Sequence, residues 1–439
     1  MKKGIVALLV ALVLVIIVSP GIVGRLAEQS MDENLDWAAR ESNSLVVTSQ
    51  SFDRGWFSSE GQHRIELRDG SLRAALLELT GNDETGNLPA LIIDTRIDHG
   101  LVPFSSLTRD RGTLKPGLGS AVSTMSIELA DGEAVPMPGT IYTDIGLDGV
   151  LKSNFVLTSG TRTMDDAYFE WGDVDIHVTS DPATGVLKYN GIVDTLAVSN
   201  ARKTVRIGAV TFAGDKSPSP FGFSVGDFDM AFDSMAIASP AAPGVELGRL
   251  SIAGKTAVTG DRVNGSVNLK LESSTVPAIG ELSVMATLAF HDFDGAALGA
   301  LNKALADLPA GNDAMLTLST MESELQRLLA AGLRLDFERL DILLPQGTIS
   351  SNFSIALDAT DSDDFRWTAL LLALDASAHL RVPADLVDLA TMMGPQAGAA
   401  VAMGFLKQNG DVYELDAAYR KGLLTINGAP LAIPLPSVQ

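Results

Sequence analysis

The longest apolar run opens the chain. Gly4 to Val23 carries no charge, and Ser19 is its one ordinary polar side chain. Twenty residues at about 1.5 Å each make a helix of roughly 30 Å, the thickness of a hydrocarbon core. A helix is the conformation expected there, because lipid offers no partner to a free N–H or C=O. Lys2 and Lys3 precede the run, whereas Glu28, Asp32, Glu33 and Asp36 outnumber Arg25 just after it. The positive-inside rule then keeps the N-terminus cytoplasmic and exports everything beyond residue 24. A cleaved signal peptide shares the basic start and apolar middle, but the best small-x-small site, Ser19-Pro20-Gly21, is weak. The sequence predicts a retained anchor over residues 1–24.

Residues 25–43 keep a helical period, with Leu26, Met31, Leu35 and Ala38 or Ala39 three or four apart, and read as an amphipathic stalk. After Asn43 the texture changes. Short alternating runs recur between Gly, Asp, Asn and Pro, including Leu45–Phe52, Trp56–Leu67, Leu91–Asp98, Ser123–Leu129, Thr140–Ile145 and Val150–Leu157. Tyr168–Val178, Leu187–Leu196, Val205–Phe212, Val225–Phe232, Leu247–Ile252 and Val263–Leu271 continue the series. Asp181-Pro182-Ala183-Thr184-Gly185 reads as a hairpin connection. Helical spacing interrupts at Asp294–Leu308, at Met321–Ala331 and at Pro383–Leu406, the last around Gly394-Pro395. Strands return at Asp341–Leu344, Thr348–Asp358, Thr368–Leu380, Val412–Tyr419 and Gly422–Ile426. The fold expected is mainly β with some α: a transmembrane helix and stalk, then an elongated, curved, mostly antiparallel sheet with helical insertions near 294–331 and 383–406. Residues 44–439 are read as one exported region, since no linker marks a boundary. No strict internal repeat is evident.

Composition narrows the chemistry. Cysteine is absent, which removes disulfides, thiolate metal sites, cysteine nucleophiles and lipoprotein attachment. Acidic residues number 54 against 32 basic ones, a formal charge of −22, so nucleic acid is not an expected partner. The acidity is dispersed and reads as a solvated surface.

No established catalytic pattern emerges. Gly254-Lys255-Thr256 resembles the end of a phosphate-binding loop, but Arg249 stands where the first glycine belongs and strand-like residues follow. Gly222-Phe223-Ser224-Val225-Gly226 has the Gly-x-Ser-x-Gly spelling, but the strand-like run Val225–Phe232 follows where a nucleophile elbow needs a helix, and no His-Glu-x-x-His pair occurs. The five histidines, His63, His99, His177, His291 and His379, are far apart in sequence. Asp358, Asp361, Asp363 and Asp364 form the best metal candidate, yet they lack the glycine and closing glutamate of a calcium loop and read as a solvated turn. His291-Asp292-Phe293-Asp294 reads as a helix start with Asp294 as N-cap. No cofactor is expected.

At Ser51-Phe52-Asp53-Arg54-Gly55-Trp56-Phe57-Ser58-Ser59 the chain resembles the YdgA family of uncharacterised bacterial envelope proteins. The likeness includes the Lys-led anchor and acidic stalk. It continues at Ile97-Asp98-His99-Gly100 and returns in Tyr419–Gly428, ending on Asn427 and Gly428. Leu101 and Val102 depart from the family wording, and this chain is shorter than typical members. The resemblance implies inner-membrane attachment and a periplasmic domain, and it supplies no catalytic residues. Physically, Arg54-Gly55 reads as a turn or bulge, with Trp56 and Phe57 on opposite faces of the next strand. Trp56 as a membrane-interface anchor is the alternative. Asp98-His99-Gly100 reads as a turn held by side-chain hydrogen bonds, with a catalytic Asp–His pair as the sharper alternative.

The function expected is non-enzymatic binding or scaffolding in the envelope, with an apolar or lipid-binding groove. The alternative is an exported hydrolase acting on an envelope glycan or lipid. Partners expected are the membrane, lipid or another envelope protein, and a second copy through the stalk helices.

Overall fold

The computed structural model describes residues 45–67, 90–99, 117–128, 132–164, 167–200, 203–239, 242–276, 280–306, 321–360, 370 and 372–431. The anchor and stalk lie outside them. No helix among the described residues is long and apolar enough to cross a membrane. The architecture is mainly β: one large, open, antiparallel sheet with four helices among the described residues. Two compact units divide the chain, and each is taken in turn.

The first unit is a meander. β1 (Leu45–Arg54), β2 (Ser58–Leu67), β3 (Ala90–His99), β4 (Gly119–Glu128), β5 (Ala134–Ile145) and β6 (Leu151–Leu157) pair in sequence order. β6 then pairs with β9 (Val174–Asp181), which turns into β10 (Val186–Val193). The predicted hairpin is that turn: Asp181 accepts from the Ala183 N–H at 3.0 Å and the Thr184 hydroxyl at 2.6 Å. Alternation along β3 places Ile93, Thr95, Ile97 and His99 on one face. A small core forms there from Ile97, Ala121 and the ring of Phe52.

The second unit is larger. It holds β7 (Gly160–Met164), β8 (Ala167–Trp171), β11 (Leu196–Ser199), β12 (Thr204–Ile207), β13 (Val210–Pro218), β14 (Ser224–Phe232), β15 (Met235–Ser239), β16 (Ala242–Leu247) and β17 (Leu250–Thr259). β18 (Arg262–Val276) and β19 (Gly280–Asp294) lead into helices α1 (Gly295–Ala306) and α2 (Glu322–Ala330). β20 (Leu333–Leu344), β21 (Gly347–Leu357) and β22 (Leu374–Pro383) follow, then α3 (Ala384–Met393) and α4 (Pro395–Ala402). β23 (Lys407–Asn409), β24 (Val412–Arg420), β25 (Leu423–Ile426) and β26 (Ala429–Leu431) close the chain. The helical segments match the sequence expectation closely. Asp294 caps α1 as predicted, its Oδ1 accepting from the Ala297 N–H at 2.8 Å. One strand start is corrected: β22 begins at Leu374 rather than Thr368, with helical residues at 372–373 just before it.

A repeat emerges that alternation along the chain does not reveal. Several apolar runs read as single strands are interrupted for two residues. Tyr168–Val178 is broken at Gly172-Asp173 and Val205–Phe212 at Gly208-Ala209, while Gly248-Arg249 separates β16 from β17. The three breaks share wording: Trp171-Gly172-Asp173-Val174, Ile207-Gly208-Ala209-Val210 and Leu247-Gly248-Arg249-Leu250. Between them fall Asp194-Thr195-Leu196-Ala197 and Asp233-Ser234-Met235-Ala236. Each glycine meets a hydroxyl residue. Gly172 N–H donates to the Thr195 carbonyl at 2.9 Å, Gly208 N–H to the Ser234 carbonyl at 2.9 Å, and Gly248 N–H to Ser274 Oγ at 3.1 Å. Glycine is required by contact: a Cβ at Gly172 would stand 2.6 Å from Asp194 Cβ, and one at Gly248 only 1.9 Å from the Glu272 carbonyl oxygen.

These contacts predict a contrast between two glycines. At Gly248 the obstacle is backbone, while at Gly254 it is the ring of Phe228, 2.1 Å from an added Cβ but 38% exposed and able to swing. Gly248→Ala should cost about 2–3 kcal/mol and Gly254→Ala about 1 kcal/mol or less. Urea unfolding of the two variants measures the order, and equal losses would contradict it.

Candidate functional site

The broadest chemical feature lies in the second unit, and strand register builds it. From β13 through β14, β17, β18, β19, β20, β21, β22 and β24 to β25, ten strands pair side by side. Leu250 stands opposite Leu271, Ile252 opposite Leu269, and Val258 opposite Val263. The row through Leu269 continues to Ala286 and Leu340, and the row through Val267 continues to Leu288, Phe337, Phe353 and Ala378. At the β13–β14 side, Phe212 stands opposite Met230, and Gly214 opposite Phe228. Because side chains alternate, all of these share one face.

The opposite face carries Asp227, Lys255, Asn268, Lys270, Arg334, Asp336, Arg339, His379, Arg381 and Asp416. Nine gaps of about 4.8 Å make the apolar face roughly 43 Å wide. A second layer would bury its side chains fully, yet Leu269, Leu288, Leu335, Phe353 and Leu380 are only half-buried. Phe228 and Met230 are exposed, at 38% and 37%.

Aromatic rings pave parts of this face. Phe337 stacks on Phe353 with centroids 4.8 Å apart, and Phe290 meets Phe293 at 5.3 Å. Phe290 and Phe293 lie three apart and would ordinarily point to opposite sides. A bulge between Val263 and Gly265 brings both onto the apolar face, with Asp292 at φ 60°. Asn264 Oδ1 accepts from the Asp292 N–H at 3.0 Å and Arg262 donates to its carbonyl at 3.0 Å.

On the polar face the most enclosed carboxylate is Asp336. Arg334 Nε lies 2.7 Å from its Oδ2, and His291 Nε2 lies 3.6 Å away. Burial alone would raise its pKa, but hydrogen bonds from Ser354 and Arg334, with the charges of Arg334 and His291, outweigh that and hold it below the ordinary value.

In the first unit, polar groups are buried beneath the family-motif turn. Ser59 Oγ and His99 Nε2 share a hydrogen bond at 3.1 Å, with the two residues 1% and 3% exposed. Thr95 Oγ1 and Ser123 Oγ share another at 2.8 Å, and His63 is buried nearby on β2. A serine beside an imidazole is half of a nucleophile–base pair. Here both partners are sealed in a strand pair, out of reach of substrate. Asp98, next to His99 on β3, points to the other face, where its Oδ1 lies 3.5 Å from Arg96 Nε.

The motif residues take specific places. Arg54 ends β1, and Gly55 N–H donates to the Ser58 carbonyl at 2.8 Å, so the turn is as expected. Gly55 is needed for close approach, a Cβ there standing 2.7 Å from that carbonyl oxygen. Trp56 and Phe57 correct the expectation: both sit in the turn and are exposed, at 56% and 53%, instead of alternating on a strand. Asp98 and His99 are also corrected, being the last paired residues of β3, opposite Ser120 and Gly119; Gly100 lies outside the described residues.

At the other end of the chain, Asn427 and Gly428 form a tight turn with φ 49° and 78°. Asn427 Nδ2 donates to the carbonyls of Gly404 at 2.9 Å and Phe405 at 3.1 Å, and its Oδ1 accepts from the Asp416 N–H at 2.9 Å. One amide thus ties β24 and β25 to the end of α4.

The remaining sequence candidates resolve simply. Gly254-Lys255-Thr256 lies inside β17, paired on both sides, and wraps nothing. His177 lies 3.3 Å from Asp175, and His379 Nδ1 2.6 Å from Asp416 Oδ1, both on exposed strand surfaces. Of the acidic group, only Asp358 is among the described residues. Among those residues no three His, Asp or Glu side chains are grouped to hold a metal.

Two outcomes follow. Ser59→Ala should destabilise the protein by about 1–3 kcal/mol, because the buried imidazole of His99 loses a partner, and denaturant titration reads the loss. Asp336 has a depressed pKa, so its contribution is complete above the ordinary carboxylate value, near 4, and is lost as pH falls through its folded value. Asp336→Asn should therefore lower stability by about 1–2 kcal/mol at pH 7, with the gap from the natural protein closing towards pH 3. A gap independent of pH would contradict the assignment.

Comparison with known proteins gives one match. Residues 1–434 match the family described as bacterial protein of unknown function (DUF945). No curated protein and no solved structure matches. A match over nearly the whole chain places this protein in the DUF945 family.

Proposed function

We propose that this protein is a membrane-tethered, periplasmic, non-enzymatic envelope protein that holds acyl chains of amphipathic lipid on the apolar face of its second unit. The observation that carries the reading is that face: ten strands wide, without charge along its central rows, and only half-buried. Exposed apolar patches of this extent on a soluble surface mark a place where something apolar docks. Acyl chains fit better than a polar polymer, because rows of Leu, Ile, Val and Phe offer no hydrogen bonds to sugar or peptide. The N-terminal apolar run supplies the tether, and the YdgA-like wording supports the envelope setting. A hydrolase would need its serine and histidine open to substrate, whereas Ser59 and His99 are 1% and 3% exposed.

Neighbouring positions test this directly. Ala286 lies on the apolar face, and Thr287, the next residue of β19, on the polar face. Ala286→Trp should weaken binding of a fluorescent fatty acid by about tenfold, while Thr287→Asp leaves it within about twofold. Native mass spectrometry of the full chain from mild detergent should show retained phospholipid. Lipid-free protein that also fails to take up the fatty acid would sink the proposal.

A further inference from the structure

In the first unit, two turns share one end of the sheet. Register carries the β1–β2 turn across to the β5–β6 turn: Ser58 pairs with Asp98, His99 with Gly119, Gly119 with Ile145, and Ile145 with Leu151. Four strand gaps place the turns roughly 19 Å apart. They present Trp56, Phe57 and Leu147, which is 58% exposed.

Both turns are tightly bonded. Beyond the Gly55–Ser58 bond, His99 N–H donates to the Phe57 carbonyl at 3.0 Å, and His99 is itself fixed from below by Ser59. Gly146 N–H donates to the Val150 carbonyl at 2.9 Å, and Val150 N–H to Asp148 Oδ1 at 3.1 Å. The exposed side chains are therefore held outwards by anchored backbone. Water is a poor solvent for all three.

We propose that this end of the first unit rests in the interface of the membrane that the N-terminal run enters, with Trp56, Phe57 and Leu147 inserted among the lipids. Aromatic rings are favoured at that depth, and the Phe and Leu side chains are apolar enough to reach the acyl region.

The choice of a bilayer over a protein partner comes from chain length. Residues 24–44 are all that separate the apolar run from β1. Even fully extended they span at most about 75 Å, so a run held in the bilayer keeps the first unit beside its surface. This inference rests on the tether proposed above.

The chain lacks cysteine, so single spin labels can be placed without background. Phe57→Cys and Leu147→Cys report on the turns, and Asn268→Cys, exposed on the polar face of the second unit, is the aqueous reference. The full chain is reconstituted into vesicles of phosphatidylethanolamine and phosphatidylglycerol at a ratio of about 3:1, an anionic mixture chosen to attract basic side chains. Power saturation then compares access to oxygen with access to a water-soluble nickel chelate. The expected result is a several-fold higher oxygen-to-nickel ratio at positions 57 and 147 than at 268. Ratios equal to that of 268 in floated vesicles would overturn the inference, as would labels shielded from both reagents, the mark of a protein contact. Protein absent from the floated vesicles would overturn the tether as well. A failed fatty-acid assay on the second unit would leave this readout untouched.

Discussion

Antiparallel register is the constraint on which the rest of the second unit depends. With a side-chain period of two, a slip of one residue on any strand would carry its Leu, Ile and Phe to the face that holds Asp336, Lys255 and His379. Long hairpins with little covering layer are vulnerable to such slips. Bulges and aromatic rings counter them here. The bulge at Asp292 keeps Phe290 and Phe293 on one face, and another shift between Phe337 and Leu340 does the same for that pair. Rings lying over Gly254 and Gly265, from Phe228 and Phe290, fill spaces that only a residue without Cβ provides. Each such contact fits one alignment of two strands.

Much of the fold was legible because alternation and helical spacing are local signals. The helices near 294, 321 and 383 and the Asp294 cap followed from spacing within a few residues. The breaks at Gly172, Gly208 and Gly248 are not legible locally, because apolar residues continue on both sides of each glycine and hide a two-residue interruption. The recurring apolar-Gly-x-Val/Leu wording was the available signal, thirty-six and forty residues apart. The apolar face was legible strand by strand. Its continuity was not, since that depends on which strands are neighbours.

The motif residues show the same division between local and distant information. Arg54-Gly55 and Asn427-Gly428 announced turns, and turns they are. Trp56 and Phe57 read as the start of the strand that follows the Arg54-Gly55 turn, but the backbone bonds from Gly55 and His99 hold them within the turn instead. The Ser59–His99 contact joins residues forty positions apart, so spacing gave no hint of it. Burial turns that contact from a catalytic suggestion into a support for the turn above it.

The glycine-marked hairpins carry an implication for how such a chain can change in size. Each such module, one pair of strands, bonds to the strands on either side and carries a glycine break of like wording, as at Gly208 and Gly248. Gain or loss of one whole module would widen or narrow the sheet by about 10 Å while every other ladder kept its partners and its faces. The sheet can thus be lengthened the way a fence is, by the panel, and the area of apolar surface on offer becomes a matter of copy number.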